Sequence, residues 1–233
     1  MNSAPYDQLE EKFGAQIEFK PFYKTEPLTS LEFRAQRVNI SDVTAVLFSA
    51  RHTIDAFFEI CEALRVKVPE SMKYFCTTEA VALYLQKHIV YRKRKIFFGD
   101  RTPQSILDQI GQKHKDEKFL ITTSDSFNNE ELLHLFKEAG LNFKTAMFVK
   151  NVPQDLSAVD LNSYDVAVVY NPADVKSIQT NFPEFEATNV KFFPFSRQAS
   201  AALQETGLPI LDPCHGQKAP SVAKALEEYL KEN

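Results

Sequence analysis

Short apolar runs alternate with amphipathic ones along the whole of this chain, and that alternation restricts the fold more than any other feature. The strand-like runs fall at 17–22, 44–48, 73–76, 95–98, 118–122, 145–150, 165–170 and 191–195, each rich in Phe, Val, Ile or Tyr. Between them the spacing predicts helices over 6–13, 29–38, 53–64, 79–87, 103–113, 129–139, 173–181, 198–205 and 221–230. Gly14, Gly140 and Gly207 stand where a helix C-terminus takes a left-handed residue, and Ser3 and Pro5 precede the first helix as a start signal does. Strand and helix in strict turn give parallel sheets covered by helices on both faces.

One sheet of eight strands is a possible outcome, but a weak internal repeat favours two smaller sheets. "KYFCTTEAVALYL" from Lys73 lies against "KFFPFSRQASAAL" from Lys191, with Lys73, Phe75, Thr78 and Leu85 facing Lys191, Phe193, Ser196 and Leu203. Each copy follows a strand–corner–helix unit, "VTAVLFSARHTIDAFFEI" from Val43 and "DVAVVYNPADVKSI" from Asp165. Chance similarity between amphipathic βα units is the competing explanation, and the shared order of the units favours duplication. Two extended, Pro-bearing, lysine-dotted stretches, "IEFKPFYKTEPL" and "FKTAMFVKNVPQDLS", suggest paired connectors. The expectation is a discontinuous first α/β domain of 1–20 and 152–233, and a second α/β domain of 22–150.

Composition removes several functional classes. Six glycines in 233 residues leave little material for a glycine-rich phosphate loop. The net charge of −4 gives no sign of a nucleic-acid surface. No apolar run approaches the roughly 20 residues that a membrane span needs, and the start lacks a charged-then-apolar export signal. The cysteines, Cys61, Cys76 and Cys214, are few, odd in number and far apart, as in a reduced cytoplasmic protein. The five histidines show no metal-ligand spacing with them. The basic string "YRKRK" at 91–95 reads as a solvated loop in preference to a polyanion site. The "APSVAKALEEYL" stretch, with a Ser221 cap and a stripe of Val222, Ala225, Leu226 and Tyr229, reads as a core-facing helix.

Taken together, these strings resemble the uroporphyrinogen-III synthase family, and in particular its Bacteroidetes-type form. The resemblance rests on "FKPFYKTEPLTSLEFRAQRVNISDVTAVLFSARHTIDAFFEICE", "MKYFCTTEAVALYLQKHIVYRKRKIFFGD", "HKDEKFL", "DLNSYDVAVVYNPADVKSIQTNFP" and "APSVAKALEEYL", which span nearly the whole chain. It implies two flavodoxin-like parallel-sheet domains joined by a two-stranded linker, the first built from both chain ends. It also implies a cytoplasmic monomer that acts on hydroxymethylbilane in an interdomain cleft, with no cofactor and no metal. Water is lost, the last pyrrole ring is inverted through a spiro intermediate, and the ring closes. Because an azafulvene forms readily from the hydroxymethyl pyrrole, such a protein mainly folds the substrate and holds one ring inverted.

Carried over residue by residue, the resemblance implies carboxylate-gripping positions at Ser49, Arg51, Thr77, Thr78, Asn171, Ser196, Arg197 and Gln198. Each has a plainer reading as a cap or a turn. Ser177 stands where the family's candidate for assisting loss of the hydroxyl, a tyrosine, is found. The late corner departs from a Ser-Pro-Ser-Gly pattern to Asn171-Pro172-Ala173-Asp174, and Phe195 replaces a glycine. Asp174 is expected to compete for the helix N-terminus and to weaken polycarboxylate binding unless Arg197 neutralises it, so that glycine there would tighten binding. Members also begin with a central strand ahead of the first helix. Only Met1–Pro5 precede that helix here, so a sheet with exposed edges is expected, the strand lying either ahead of this sequence or nowhere. Two rivals share the pattern: a catalytically weak or inactive relative that binds an anion, and a solute-binding protein, which the absent export signal disfavours.

Overall fold

The computed structural model describes residues 4–125, 130–211 and 219–232. Ser3, Cys214 and the expected helix start at Asn129 lie outside them. The strands are β1 Tyr23–Pro27, β2 Ala45–Phe48, β3 Lys73–Cys76, β4 Ile96–Phe98, β5 Lys118–Ser124, β6 Asn142–Pro153, β7 Val166–Val169 and β8 Lys191–Pro194. The helices are α1 Ala4–Phe13, α2 Ser30–Ala35, α3 Arg51–Ala63, α4 Glu79–Tyr84, α5 Pro103–Ile110, α6 Glu130–Glu138, α7 Pro172–Asn181, α8 Arg197–Gln204 and, last, α9 Val222–Glu232. The chain divides into two compact units, Met1–Lys24 with Val152–Asn233 and Thr25–Asn151, so that the boundary falls inside β1 and inside β6.

The unit Thr25–Asn151 is built on a sheet of order β1-β6-β5-β2-β3-β4. The β2–β3, β2–β5, β3–β4 and β5–β6 pairs are all parallel. Counted from β2, the parallel strands lie in the order three-two-one-four-five, a doubly wound arrangement in which the chain leaves β2 toward both sides. Alternation along each strand then divides the core in two. Val46, Phe48, Tyr74, Cys76 and Leu120 face one layer with α2, α3 and α4 residues such as Phe33, Phe57 and Val81. Ala45, Leu47, Phe75, Phe119 and Ile121 face the other with Ile106 and Phe136 of α5 and α6. Burial on both faces is what a continuous apolar strand such as "AVLF" requires, and every residue of β2 is buried.

The expected strand over 17–22 is not one; the ladder begins at Tyr23. Pro21 has no N–H to give, and the Ile17 N–H donates to the Glu10 carboxylate at 3.1 Å. The chain pairs only past this point. Gln154 N–H donates to the Phe22 carbonyl at 2.8 Å and Leu28 N–H to the Phe148 carbonyl at 2.9 Å, so β1 runs antiparallel to β6.

The second unit holds β7 and β8 in parallel, Val166 opposite Lys191, with a further bridge from Phe192 to Ile210. Its core gathers Leu161, Val169, Val175, Ile178, Phe192 and Leu203. Among the described residues, no strand lies on the edge of β7 away from β8. Val166, Ala167 and Val168 are consequently only half-buried, although "VAVV" is as apolar as "AVLF".

The internal repeat extends beyond the strings that suggested it. A capped 3-10 turn precedes each first strand, Ile40–Asp42 before β2 and Leu161–Ser163 before β7. Lys73 N–H donates to the Thr44 carbonyl as Lys191 N–H does to that of Asp165, each at 3.0 Å. Thr77 N–H reaches the Phe48 carbonyl at 3.0 Å as Phe195 N–H reaches that of Val169 at 2.9 Å. Gly14, Gly140 and Gly207 all have positive φ, at 67°, 64° and 73°, as helix ends require.

Candidate functional site

In open parallel sheets ligands sit beyond the carboxyl ends of the strands, so the corners that follow β2, β3, β4 and β5 are the first place to look. Ala50 is the N-cap of α3 in extended conformation and offers no side-chain cap. Thr53 Oγ1 instead donates to the Ala50 carbonyl at 2.8 Å. Thr77 ties its corner to the neighbouring one, donating from Oγ1 to the Ser49 carbonyl at 3.1 Å. Thr78 caps α4, accepting from Val81 N–H at 3.3 Å. The structure thus brings Ser49, Thr77 and Thr78 to one end of the sheet, each with a local structural task of its own. Arg51 opens α3, is exposed, and holds its guanidinium 5.6 Å from the Tyr84 ring.

Sequence reasoning passed over the end of β5. The switch point of this sheet lies between β2 and β5, where Thr122 Oγ1 donates to the Leu47 carbonyl at 2.9 Å. The Asp125 carboxylate beyond it accepts from Asn151 N–H at 3.0 and 3.1 Å. The polar string "TTSD" at 122–125, following directly on an apolar strand, was the available signal.

The late corner is more closed than its sequence suggests. Asn171 caps α7, its Oδ1 accepting from Ala173 and Asp174 N–H at 2.8 and 3.3 Å, while its Nδ2 donates to the Tyr23 hydroxyl at 3.0 Å. Asp174 does not compete for the outer face of the helix terminus. Its carboxylate turns back and accepts from Tyr170 and Asn171 N–H at 2.8 and 3.1 Å, closing a capping box. It is 8% exposed, and burial pushes its carboxyl above the ordinary range against the pull of those two amides. Arg197 is not needed to neutralise it and, like Gln198, is exposed at the start of α8. Ser196 caps α8 through Ala199 N–H at 3.0 Å and donates to the Tyr170 carbonyl at 2.7 Å.

Ser177, the expected aid to loss of water, is fully buried at 0%, and its hydroxyl donates to the Phe22 carbonyl, binding α7 to the residue ahead of β1. A hydroxyl so buried and so bonded favours a structural role for this residue.

A cavity of about 340 Å³ lies elsewhere in the same unit, beside β7 and under α1 and α9, against Tyr6, Phe19, Val168, Tyr170, Val222 and Leu226. Its walls are largely apolar. It marks the open side of β7. Among the described residues no group of His, Cys, Asp or Glu is placed to hold a metal ion, and no helix is long and apolar enough to cross a membrane.

The family model for uroporphyrinogen-III synthase HemD matches residues 5–213. The chain belongs to the uroporphyrinogen-III synthase family. Members of that family serve porphyrin and haem biosynthesis. The fold is similar to uroporphyrinogen-III synthetase from Helicobacter pylori 26695, with a TM-score of 0.53, 17% identity and 91% of each chain covered. Uroporphyrinogen III synthase from the extremely thermophilic bacterium Thermus thermophilus covers 98% of this chain and 93% of its own at 18% identity, with a TM-score of 0.47. No curated protein matches the chain. At 17% identity the likeness to the Helicobacter pylori protein establishes the α/β fold of this uroporphyrinogen-III synthase family member, while its individual side chains must be read from their own geometry.

Proposed function

We propose that the chain is an active uroporphyrinogen-III synthase, a hydro-lyase that closes hydroxymethylbilane to uroporphyrinogen III with inversion of the last pyrrole ring. The observation that carries this is the family match over residues 5–213, which includes both strand–corner–helix units. Hydroxymethylbilane carries eight carboxylates, and its hydroxyl leaves with help from the pyrrole to which it is attached. The protein's share is then to grip carboxylates and present the reacting carbons to one another. Ser49, Arg51, Thr77 and Thr78 in one unit and Asn171, Ser196, Arg197 and Gln198 in the other are the proposed contacts. Arg51 and Arg197 are exposed cations suited to paired hydrogen bonds with a carboxylate. The others offer hydroxyl, amide and helix-terminal N–H donors. A cytoplasmic setting and action as a monomer, without cofactor or metal, belong to the same reading.

A second reading, an inactive relative that binds an anion, has one observation in its favour. The late corner uses its own Asp174 to occupy the Tyr170 and Asn171 amides. One assay separates the two. The protein is supplied with hydroxymethylbilane, and the III isomer is measured against the I isomer that forms spontaneously. Excess III isomer establishes the enzyme, and the I isomer alone rejects it.

A further inference from the structure

The corner after β4 was not among the residues that the family pattern suggested, yet it joins the same row. Gly99 N–H donates to the Cys76 carbonyl at 3.0 Å and Arg101 N–H to the Thr77 carbonyl at 2.9 Å. The second bond fixes the backbone of Arg101 against the Thr77 corner, on the side away from β2. Among the described residues, three non-glycine residues have positive φ: Arg37 at 56°, Arg65 at 54° and Arg101 at 84°. The first two directly follow the C-caps of α2 and α3, Gln36 and Leu64, where a left-handed residue is the ordinary way to end a helix. Arg101 ends no helix. It lies between β4 and Thr102, the N-cap of α5, so the usual explanation does not apply to it. Conformations of this kind are strained for a residue with a side chain, and they cluster at active sites, ligand clamps and switch regions.

The side chain supplies the chemistry. Arg101 is exposed, and among the described residues no carboxylate pairs with it. The adjacent Asp100 does not, because its carboxylate accepts from Thr102 Oγ1 at 2.6 Å and from Thr102 N–H at 3.0 Å. Those bonds also hold the Asp100 carboxyl below its ordinary value. The backbone of Arg101 is therefore fixed against the Thr77 corner, which adjoins that of Ser49 and Arg51, and its exposed side chain carries a cation with no carboxylate partner among the described residues.

We infer that Arg101 is a further substrate-binding residue, which takes a carboxylate of the tetrapyrrole together with the Thr77 corner. This rests on the function proposed above. Arg101→Gly and Arg101→Gln test it. Glycine removes the cation and relieves the positive φ, whereas glutamine removes the charge and keeps the side-chain bulk. Both should raise KM for III-isomer formation roughly tenfold to a hundredfold, the worth of one charged hydrogen bond, with kcat little changed. Arg101→Lys should recover part of the loss. Arg101→Gly should leave the unfolding midpoint unchanged or raised, so weakened binding would not come from a damaged fold. If the wild-type protein forms the III isomer and both variants keep its KM, Arg101 lies outside the site and the proposed function stands. If the wild-type protein forms only the I isomer, the proposed function fails, and this inference fails with it.

Discussion

Asp174 shows how a single carboxylate changes meaning once its partners are known. As a sequence letter in the first turn of a helix it reads as a charge that repels an anionic ligand. In the folded chain it is the acceptor for two backbone N–H groups and is nearly buried. Asp174→Gly would leave the part-buried Tyr170 and Asn171 amides without that acceptor, which costs about 1 kcal/mol. We expect a lower urea midpoint for this variant, and an unchanged midpoint would show that the capping box contributes nothing. Any tightening of ligand binding would have to appear on top of that loss. Ser177 gives the complementary case. The Phe22 carbonyl that it serves also accepts from Gln154 N–H, so Ser177→Ala should cost only about 1 kcal/mol. Its kcat should equal that of the wild type, and a collapse of kcat in a stable Ser177→Ala protein would return the residue to the chemistry.

At the scale of the element, two joints in the doubly wound sheet can be tested. The first is the turn from β4 into α5. A Cβ at Gly99 would come 2.2 Å from Ser105 Oγ. That oxygen cannot easily move, since it accepts from Asp100 N–H at 3.0 Å and donates to the Thr102 carbonyl at 2.7 Å. Gly99→Ala should therefore destabilise the protein by about 1–3 kcal/mol, the usual cost of overpacking; thermal unfolding measures it, and a wild-type midpoint would show that the turn relaxes freely. The second joint fastens α3 to α4. The Asp55 carboxylate accepts from Tyr84 at 2.8 Å and Lys87 at 2.9 Å, and lies 2.7 Å from His88 Nε2. Burial, the largest influence, pushes Asp55 up, but the bonds from Lys87, His88 and Tyr84 outweigh it and hold the carboxyl below its ordinary value. A folded value below the unfolded one, about 3.9, stabilises the fold above that pH, and the gain is lost as pH falls through the folded value. Wild type should accordingly exceed Asp55→Asn in unfolding free energy at pH 7, and the margin should shrink below about pH 4. A margin as large at pH 3 as at pH 7 would show that ionised Asp55 is not the source.

For the whole molecule, what was legible followed from burial pattern. Continuous apolar strands separated by amphipathic helices specify a doubly wound sheet, and "AVLF", "KYFC" and "KFLITTS" occupy it as strands. The side chains at the corners were less legible, because Asn, Asp, Ser and Thr serve equally as ligands and as caps, and only hydrogen-bond partners decide between them. The Arg101 corner left no trace in periodicity, since a positive φ is a property of the backbone. The same burial argument yields a prediction for β7. The carbonyls of Asp165 and Val169 accept from Lys191 and Phe195, and thus face β8. Backbone alternation then turns the polar groups of Val166 and Val168 toward the other edge, where no strand lies among the described residues. In β2 every residue is buried, between β3 and β5. Amides on an open edge exchange by small local motions, whereas those inside a paired, buried strand need a much larger opening. Hydrogen exchange followed by NMR should therefore show Val166 and Val168 exchanging well before Val46 and Leu47. Equal protection at the two pairs would mean that the edge of β7 is covered as effectively as that of β2, and the half-burial of "VAVV" would then need another cause.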